Sequence, residues 1–312
     1  MKTVLTLFLL MSSLIAQTAA PTNSSNGPSA DELNKRAERF APVELTADTS
    51  ALSTGDKQAI AKLIEAAHIV DVLQLRQRWA ENEKLWAALK ADKSPLGRAR
   101  LQYFWINKGP WDHLDGNKAF ITDFPGLTIP AEYPAAGNFY PEDATKEELE
   151  AWMKSLPAKE RDNAQWFFTV IRNRKGEGNF KIVNYSLEYR PELEKLSKLL
   201  KEAAALTDNA SLKKFLSMRA DAFLSNDYYD SDLAWMDLDS TVDVTIGPYE
   251  TYNDELFGYK AAFEAYVNIR DAKETDKLKF MGQHMQEIEN ALPLDQQYKN
   301  PKIGAMAPMT NR

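Results

Sequence analysis

The stretch that decides the fold runs from Asp239 to Val267 and reads DSTVDVTIGPYETYNDELFGYKAAFEAYV. Apolar and polar residues alternate over 242–246, which is the pattern of a half-buried β-strand. Gly247-Pro248 then predicts an interruption of strand pairing. A second apolar run covers 261–269. The stretch is therefore predicted to be two strands joined by a polar loop.

The predicted loop concentrates tyrosines and carboxylates, namely Tyr249, Glu250, Tyr252, Asp254 and Glu255. By spacing alone, a hairpin with a solvated loop is the simpler interpretation. A second interpretation is chemical. A carboxylate can clamp an ammonium group, and a phenol two residues further along an extended chain projects to the same side. Because such a phenol can stabilise an oxyanion, Glu250 and Tyr252 could hold a peptide's free amine and polarise its carbonyl.

Most of the chain before this stretch has a helical pattern. Apolar residues recur at helical spacing from position 56 to about 91, with a break expected near 69–71. Ser94-Pro95 begins a further helix, and Thr145 with Glu148 forms a capping box that begins another. Helices are also expected from 191, from 211 to 225, and as one last helix after 268.

Short strands are expected at 166–172 and 180–189, joined by a turn at Gly176 and Gly178. Strands and helices do not alternate regularly along the chain, which does not favour a doubly wound parallel sheet. We therefore predict an α+β fold that is mostly helical, with a small mixed or antiparallel sheet.

The N-terminal residues differ in kind from the rest. Lys2 is followed by an apolar run over 4–15, too short for a membrane span, and by mostly small residues over 16–20. This order predicts a signal peptide at 1–20, a flexible linker at 21–45 and one α+β lobe at 46–312. The sequence contains no cysteine, which is typical of a periplasmic protein rather than a disulfide-stapled scaffold. We expect a secreted or periplasmic protein that leaves the membrane after signal cleavage.

Charge and histidine spacing restrict the possible partners. The chain carries 38 Lys and Arg against 45 Asp and Glu, a formal net charge of -7, and nucleic acid is not expected because it requires a basic surface. His68, His113 and His284 lie far apart and none precedes a Glu, so they lack the spacing of zinc ligands. His68 is interpreted as a core residue of its helix. We expect no metal site in this chain.

Three segments resemble a known family. The motifs IGxxExYxD at 246–254 and FExxV at 263–267 are similar to the dipeptidyl peptidase III family of zinc metallopeptidases. The similarity is to its shorter branch, which includes the peptidase-like part of some plant Nudix proteins. NFYPED at 138–143 and NKGPWD at 107–112 support the same resemblance, which runs from roughly residue 50 to the C-terminus.

The resemblance implies a two-lobed hydrolase that uses zinc and cleaves peptides, with a cleft between the lobes. The mainly helical lobe carries the zinc on a His-Glu-x-x-His motif or a version one residue longer, and the other lobe supplies substrate contacts. By position in the motif, Glu250 helps to hold the substrate's amine, Tyr252 stabilises the tetrahedral intermediate, and Glu264 is a further cleft carboxylate. Tyr249, beside Glu250, is also expected to bind substrate.

The sequence departs from the family pattern in two ways. The spacing from Glu250 to Glu264 is one residue longer than in the dipeptidyl peptidases proper, and no His-Glu pair is present. We therefore expect the non-zinc lobe of an exported peptidase-like hydrolase, truncated before the zinc lobe, binding peptides by a free N-terminus and binding no zinc itself. The alternatives are a non-catalytic periplasmic peptide-binding module and a hydrolase of other substrates on the same scaffold.

Overall fold

The computed structural model describes residues 27–173 and 179–303. The predicted signal peptide, the first part of the predicted linker and the predicted turn at Gly176 and Gly178 lie outside the described residues. The α-helices are α1 (Ala30–Ala37), α2 (Thr54–Arg78), α3 (Asn82–Ala91), α4 (Pro95–Asn107), α5 (Lys146–Ser155), α6 (Ala158–Ala164), α7 (Tyr185–Glu188), α8 (Arg190–Leu206), α9 (Ala210–Ser225), α10 (Tyr229–Met236), α11 (Ala272–Gln283) and α12 (Met285–Ala291). The strands are β1 (Trp111–Asp112), β2 (Lys118–Ala119), β3 (Thr169–Asn173), β4 (Phe180–Asn184), β5 (Val242–Glu250) and β6 (Ala262–Ile269).

The strands form three separate antiparallel pairs among the described residues: β1 with β2, β3 with β4, and β5 with β6. Helices dominate the rest, so the predicted fold class, α+β and mostly helical with small antiparallel sheets, is confirmed. Within the same ranges, no helix is both long enough and apolar enough to cross a membrane.

Helix α2 joins two hydrophobic cores. Ser53 caps its start by accepting a hydrogen bond from the amide of Asp56. Leu63 and Leu73 belong to the larger core, formed with α5, α7 to α10 and strands β3 to β6, whereas Leu75 belongs to the smaller core, formed with α1, α3 and α4. The break predicted near 69–71 is wrong, because α2 continues unbroken through its buried face to Arg78.

Part of the predicted linker is helical. Ser29 caps α1, and Leu33 and Ala37 on this helix are buried in the smaller core against α4. The segment from 31 to 37 has only two apolar positions facing inward, which is too few to identify a packed helix by periodicity alone. The prediction of a flexible linker does not hold for these residues.

Helix boundaries follow local capping chemistry where such signals exist. The predicted capping box at Thr145 and Glu148 is confirmed, with both reciprocal hydrogen bonds present. Ser94 caps α4 as expected. The last predicted helix is instead two helices, α11 and α12, which meet at His284.

Strand β5 continues through Gly247-Pro248 instead of ending there. Pro248 is paired with Phe263, whose amide donates to a side chain of α2 rather than to β5. The missing N–H of Pro248 therefore costs the strand pair nothing. Gly247 has φ of +151°, and a Cβ there would lie 2.8 Å from Arg219 Nη1, so the close approach of that guanidinium requires glycine.

Candidate functional site

The end of the β5–β6 pair carries three polar residues on one face of the sheet. Glu250 and Glu264 were predicted as site residues, and Tyr266 was not. Glu250 is paired with Ala262 in the strand register. Paired residues share a face of the sheet, and residues two apart on a strand lie on the same face. Glu250, Glu264 and Tyr266 therefore lie on the same face of the strand pair. A β-bulge between Pro248 and Glu250 turns Glu250 to this face, as bulges do beside sites.

The site is electrostatically negative. Burial raises the pKa of Glu264, and the nearby carboxylate of Glu250 raises it further. Burial also raises the pKa of Tyr266, with added contributions from Glu264, Tyr252 and Glu250. Neither glutamate forms an ion pair with another residue in the described ranges. Two carboxylates in this state favour a bound cation, since a cation would relieve their mutual repulsion.

Tyr252, two residues after Glu250, has an accessible side chain. Its side chain is 67% exposed, and it interacts electrostatically with Tyr266. The phenol is therefore free to donate a hydrogen bond to a molecule held by Glu250 and Glu264.

Tyr249 has a different environment from the other predicted site residues. Its ring lies 5.3 Å from the guanidinium carbon of Arg219, which is completely buried. Burial raises the pKa of Tyr249 to about 12. Arg219 is itself paired with Asp232. Tyr249 thus packs against the buried Arg219, next to Glu250 in the sequence.

The loop after Glu250 is held rigidly by Asp254. This carboxylate is 2% exposed and accepts a hydrogen bond from the hydroxyl of Tyr140 at 2.7 Å. It also accepts hydrogen bonds from the backbone amides of Leu256, Phe257, Tyr259 and Lys260. Asp254 therefore organises the loop and is not part of the exposed polar cluster that the sequence suggested.

The neighbouring Asn253 anchors the loop to the smaller core. Its side-chain oxygen accepts from Arg78 at 3.1 Å, and its carbonyl accepts from the hydroxyl of Tyr133 at 3.2 Å. Because both residues after Tyr252 are tied down, the backbone that carries Tyr252 has a fixed position relative to Glu250.

A groove of about 250 Å³ lies between α2 and the outer edge of β6 and includes Glu264. Its lining residues are Ala67, Val70, Asp71, Gln74, Lys108, Phe263, Glu264, Ala265 and Tyr266. Sequence reasoning identified only Glu264 among them as a site residue. The groove is thus built by residues that are nearly 200 positions apart.

Gln77 of α2 hydrogen-bonds to the backbone of β6 and of the residue before it. Its Nε2 donates to the carbonyl of Ala261 at 3.3 Å, and its Oε1 accepts from the amide of Phe263 at 2.7 Å. The backbone N–H and C=O groups of Phe263 therefore point away from β5. Because strand geometry repeats every two residues, the amides and carbonyls of Ala265 and Val267 point the same way, along the groove. No side chain of the described residues is bonded to them, so β6 has an open edge there.

Lys108 and Asp71 form the opposite end of the groove. The Lys108 ammonium lies 3.5 Å from a carboxylate oxygen of Asp71. Burial lowers the pKa of Lys108, and Asp71 partly offsets that effect. The sequence did carry signals for both: Lys108 lies in the NKGPWD segment, and Asp71 interrupts an apolar helical pattern. No break is present near 69–71, and Asp71 lies on a polar surface of the continuous helix α2.

The three histidines do not form a metal site. His68 is 76% exposed, so its interpretation as a core residue is wrong; it lies on the outer side of α2. His113 packs against Tyr133, and His284 lies beside Glu287 at the end of the described chain. Within 27–173 and 179–303, no three His, Asp or Glu side chains are grouped closely enough to hold a metal ion. The zinc implied by the resemblance therefore has no fitting donor set among these residues.

Comparison with known sequences identifies the family. Residues 137–305 match the description Peptidase family M49, and this match covers more than half of the chain. The chain belongs to Peptidase family M49. The family is one of zinc metallopeptidases, and the matched segment contains Tyr249, Glu250, Tyr252 and Glu264.

Individual relatives agree with this assignment. Nudix hydrolase 3 of Arabidopsis thaliana is 39% identical over 88% of this chain and 41% of its own length. The structure is similar to dipeptidyl-peptidase III from Corallococcus sp. strain EGB, with 49% identity and a TM-score of 0.82 over 91% of this chain and 52% of that chain. DPP III from Caldithrix abyssi has 41% identity and a TM-score of 0.81 over 89% of this chain and 52% of that chain. The chain thus spans about half the length of these relatives.

Proposed function

We propose that this chain is the substrate-binding part of an exported, zinc-dependent, peptidase-like hydrolase that takes peptides by their free N-terminus. One observation carries the proposal: the carboxylates of Glu250 and Glu264 lie close together without an ion pair in the described ranges, and Glu264 lines a groove beside the open edge of β6. A peptide's ammonium group can form ion pairs with the carboxylates, and its extended backbone can form hydrogen bonds with the free amides and carbonyls of β6.

The peptide backbone binds by adding a strand to β6. The open amides and carbonyls of Ala265 and Val267 supply main-chain hydrogen bonds, as in other proteins that recognise peptides at a sheet edge. Gln77 already occupies the edge at Phe263, so the added strand begins next to Glu264. This places the first residue of the peptide beside the two carboxylates.

Tyr252 acts on the peptide once it is bound. Its exposed phenol donates a hydrogen bond to a carbonyl oxygen near the bound amine and favours charge that develops on that oxygen. In the family, zinc supplies an activated water for hydrolysis. The described residues contain no fitting donor set for zinc, so we assign to this chain peptide binding and oxyanion stabilisation.

A non-catalytic periplasmic peptide-binding module is the second candidate. It is favoured by the same groove together with the lack of a fitting zinc donor set within the described ranges. The two candidates differ in turnover: a peptidase releases a new amine in a chelator-sensitive reaction, and a binding module does not. Export is proposed from the composition of 1–20 alone.

Calorimetric titration of the full chain with Ala-Ala-Phe and with its N-acetylated analogue tests peptide binding. We expect acetylation and Glu250→Gln each to weaken binding by about tenfold or more, the scale of one lost charge-assisted contact. Glu255→Gln, an exposed carboxylate in the same loop, is the matched control and should retain full affinity. Equal affinity for the free and acetylated peptides would contradict the proposal.

A further inference from the structure

A second exposed surface lies between α3 and α4, and we call it the tryptophan patch. It encloses about 350 Å³ and is lined by Trp86, Lys90, Arg98, Leu101, Gln102 and Trp105. Trp86 and Lys90 are one helical turn apart on α3, and the other four follow the spacing of a single face on α4. The two indole rings stack, with centroids 5.6 Å apart and planes inclined by 19°.

The patch combines aromatic faces with positive charge. The Lys90 ammonium lies 3.5 Å from the ring centre of Trp86, and the Lys108 ammonium lies 3.2 Å from that of Trp105. These are cation–π contacts. Within the described ranges, neither Lys90 nor Arg98 forms an ion pair; the Arg98 guanidinium donates to the carbonyl of Lys93 and lies near Asp92. On a chain of net charge -7, this surface is complementary to an anionic group next to an apolar side chain.

The tryptophan patch is continuous with the peptide groove through one residue. Lys108 lines the groove, where it contacts Asp71, and the same ammonium covers the ring of Trp105. The groove and the patch therefore lie on two sides of one side chain. A ligand that leaves the groove past Lys108 meets Trp105 next.

We propose that the tryptophan patch is a subsite for the C-terminal part of a peptide whose amino end lies at Glu250 and Glu264. It selects peptides that carry a carboxylate next to an aromatic or apolar side chain. This proposal rests on the proposed function, because it assigns the patch to the same ligand.

The length of the groove along β6 sets how many peptide residues are needed to reach the tryptophan patch. Residues 263–266 of β6 line it, and four residues of extended chain span roughly 13 Å. A peptide therefore needs about four residues in the groove before its next side chains reach the patch. Dipeptides and tripeptides bind without using the patch.

The test compares three peptides on the full chain: Ala-Ala-Ala, Ala-Ala-Ala-Ala-Phe-Asp with a free C-terminus, and Ala-Ala-Ala-Ala-Phe-Asn amide. We expect the acidic hexapeptide to bind about tenfold tighter than its neutral analogue, and to quench tryptophan fluorescence. The double variant Lys90→Gln with Arg98→Gln should lose this preference and keep the affinity for Ala-Ala-Ala. Lys84→Gln, on the same helix and outside the patch, is the control.

Each other outcome overturns the subsite in a recognisable way. If Ala-Ala-Ala binds and the two hexapeptides bind equally, the subsite is wrong and the proposed function stands. If none of the three peptides binds, the proposed function and the subsite fail together. If the double variant instead abolishes a dimer seen by sedimentation, the patch is a contact between two copies of this chain.

Discussion

The backbone amide of Phe263 donates a hydrogen bond to the side-chain oxygen of Gln77 at 2.7 Å, across 186 positions of sequence. The same amide group of Gln77 donates to the carbonyl of Ala261. The buried side chain of Gln77 thus supplies hydrogen-bond partners to the outer backbone groups of Ala261 and Phe263. The next positions of that edge, from Ala265 onward, remain open along the groove.

Replacement of Gln77 with Leu should destabilise the protein and loosen this edge. The variant leaves the buried amide of Phe263 without an acceptor, which costs about 1–3 kcal/mol of unfolding free energy. Denaturant titration measures the loss, and hydrogen exchange should be faster at Phe263. Gln102→Leu, an exposed glutamine, should change stability by less than about 0.5 kcal/mol. Unaltered exchange at Phe263 would show that the contact does not hold the edge.

Affinity for a free-amine peptide should rise with pH. Burial and Glu250 raise the pKa of Glu264 in the free protein. A bound ammonium lowers that pKa, so binding releases a proton, and protonation of Glu264 at acidic pH opposes binding. Calorimetry from acidic to neutral pH, in buffers of different ionisation enthalpy, measures both effects. Glu264→Gln should bind with little pH dependence, and a wild-type affinity that is flat over this range would refute the role of Glu264.

The buried side chain of Lys260 should make the unfolding free energy of the protein increase with pH in the alkaline range. Its side-chain nitrogen is buried and lies 2.6, 3.0 and 2.9 Å from the carbonyls of Ala164 and Trp166 and the hydroxyl of Thr169. Burial lowers the pKa of Lys260 to about 7, compared with about 10.4 for an unfolded lysine. Between these two pKa values the unfolded state binds a proton that the folded state does not. The unfolding free energy therefore rises as the pH is raised from about 7 towards 10.

Lys260→Met tests this relation. The variant removes the hydrogen bonds of the Lys260 nitrogen and should lose about 1–3 kcal/mol of unfolding free energy near neutral pH. Its unfolding free energy should also lack the rise seen in the wild type at alkaline pH. Lys198→Met, an exposed lysine on α8, should keep the wild-type pH profile. If the slope persists in Lys260→Met, another group produces it.

Asp254→Ala should disorder the loop that carries Tyr252. Five donors, four backbone amides and the Tyr140 hydroxyl, lose their acceptor. A loss of roughly 2–4 kcal/mol follows, since breaking a buried hydrogen-bond network is among the larger single-residue effects. The neighbouring Glu255→Ala is the control and should be close to neutral. Equal melting temperatures for the two variants would mean that Asp254 does not organise the loop.

Local signals predicted several elements, although the strand expected at 180–189 ends at Asn184 and is followed by helix α7. Alternation over 242–246 indicated β5, and the chemistry of Thr145 and Glu148 located the start of α5. Capping and strand periodicity are decided by residues close in sequence, so they can be identified from sequence alone. The continuation of β5 through Gly247-Pro248 could not, because it depends on Gln77 taking the amide of the paired residue.

The site was only partly predictable for the same reason. The resemblance identified Glu250, Tyr252 and Glu264, and the register places the two glutamates on one face. Asp254 looked like a member of the exposed cluster, yet its role depends on the distant Tyr140. Lys108 and the wall formed by α2 depend on packing between distant segments, which periodicity does not report.

Hydrogen exchange at the amide of Ala265 tests the central claim, that a peptide adds a strand to the open edge of β6, most directly. With saturating Ala-Ala-Phe, this amide should exchange at least about tenfold more slowly than in the free protein, because it gains a hydrogen bond to the peptide. The amide of Tyr266, which faces β5 in the register, should change little. An unchanged exchange rate at Ala265, while calorimetry shows the peptide bound, would contradict the account.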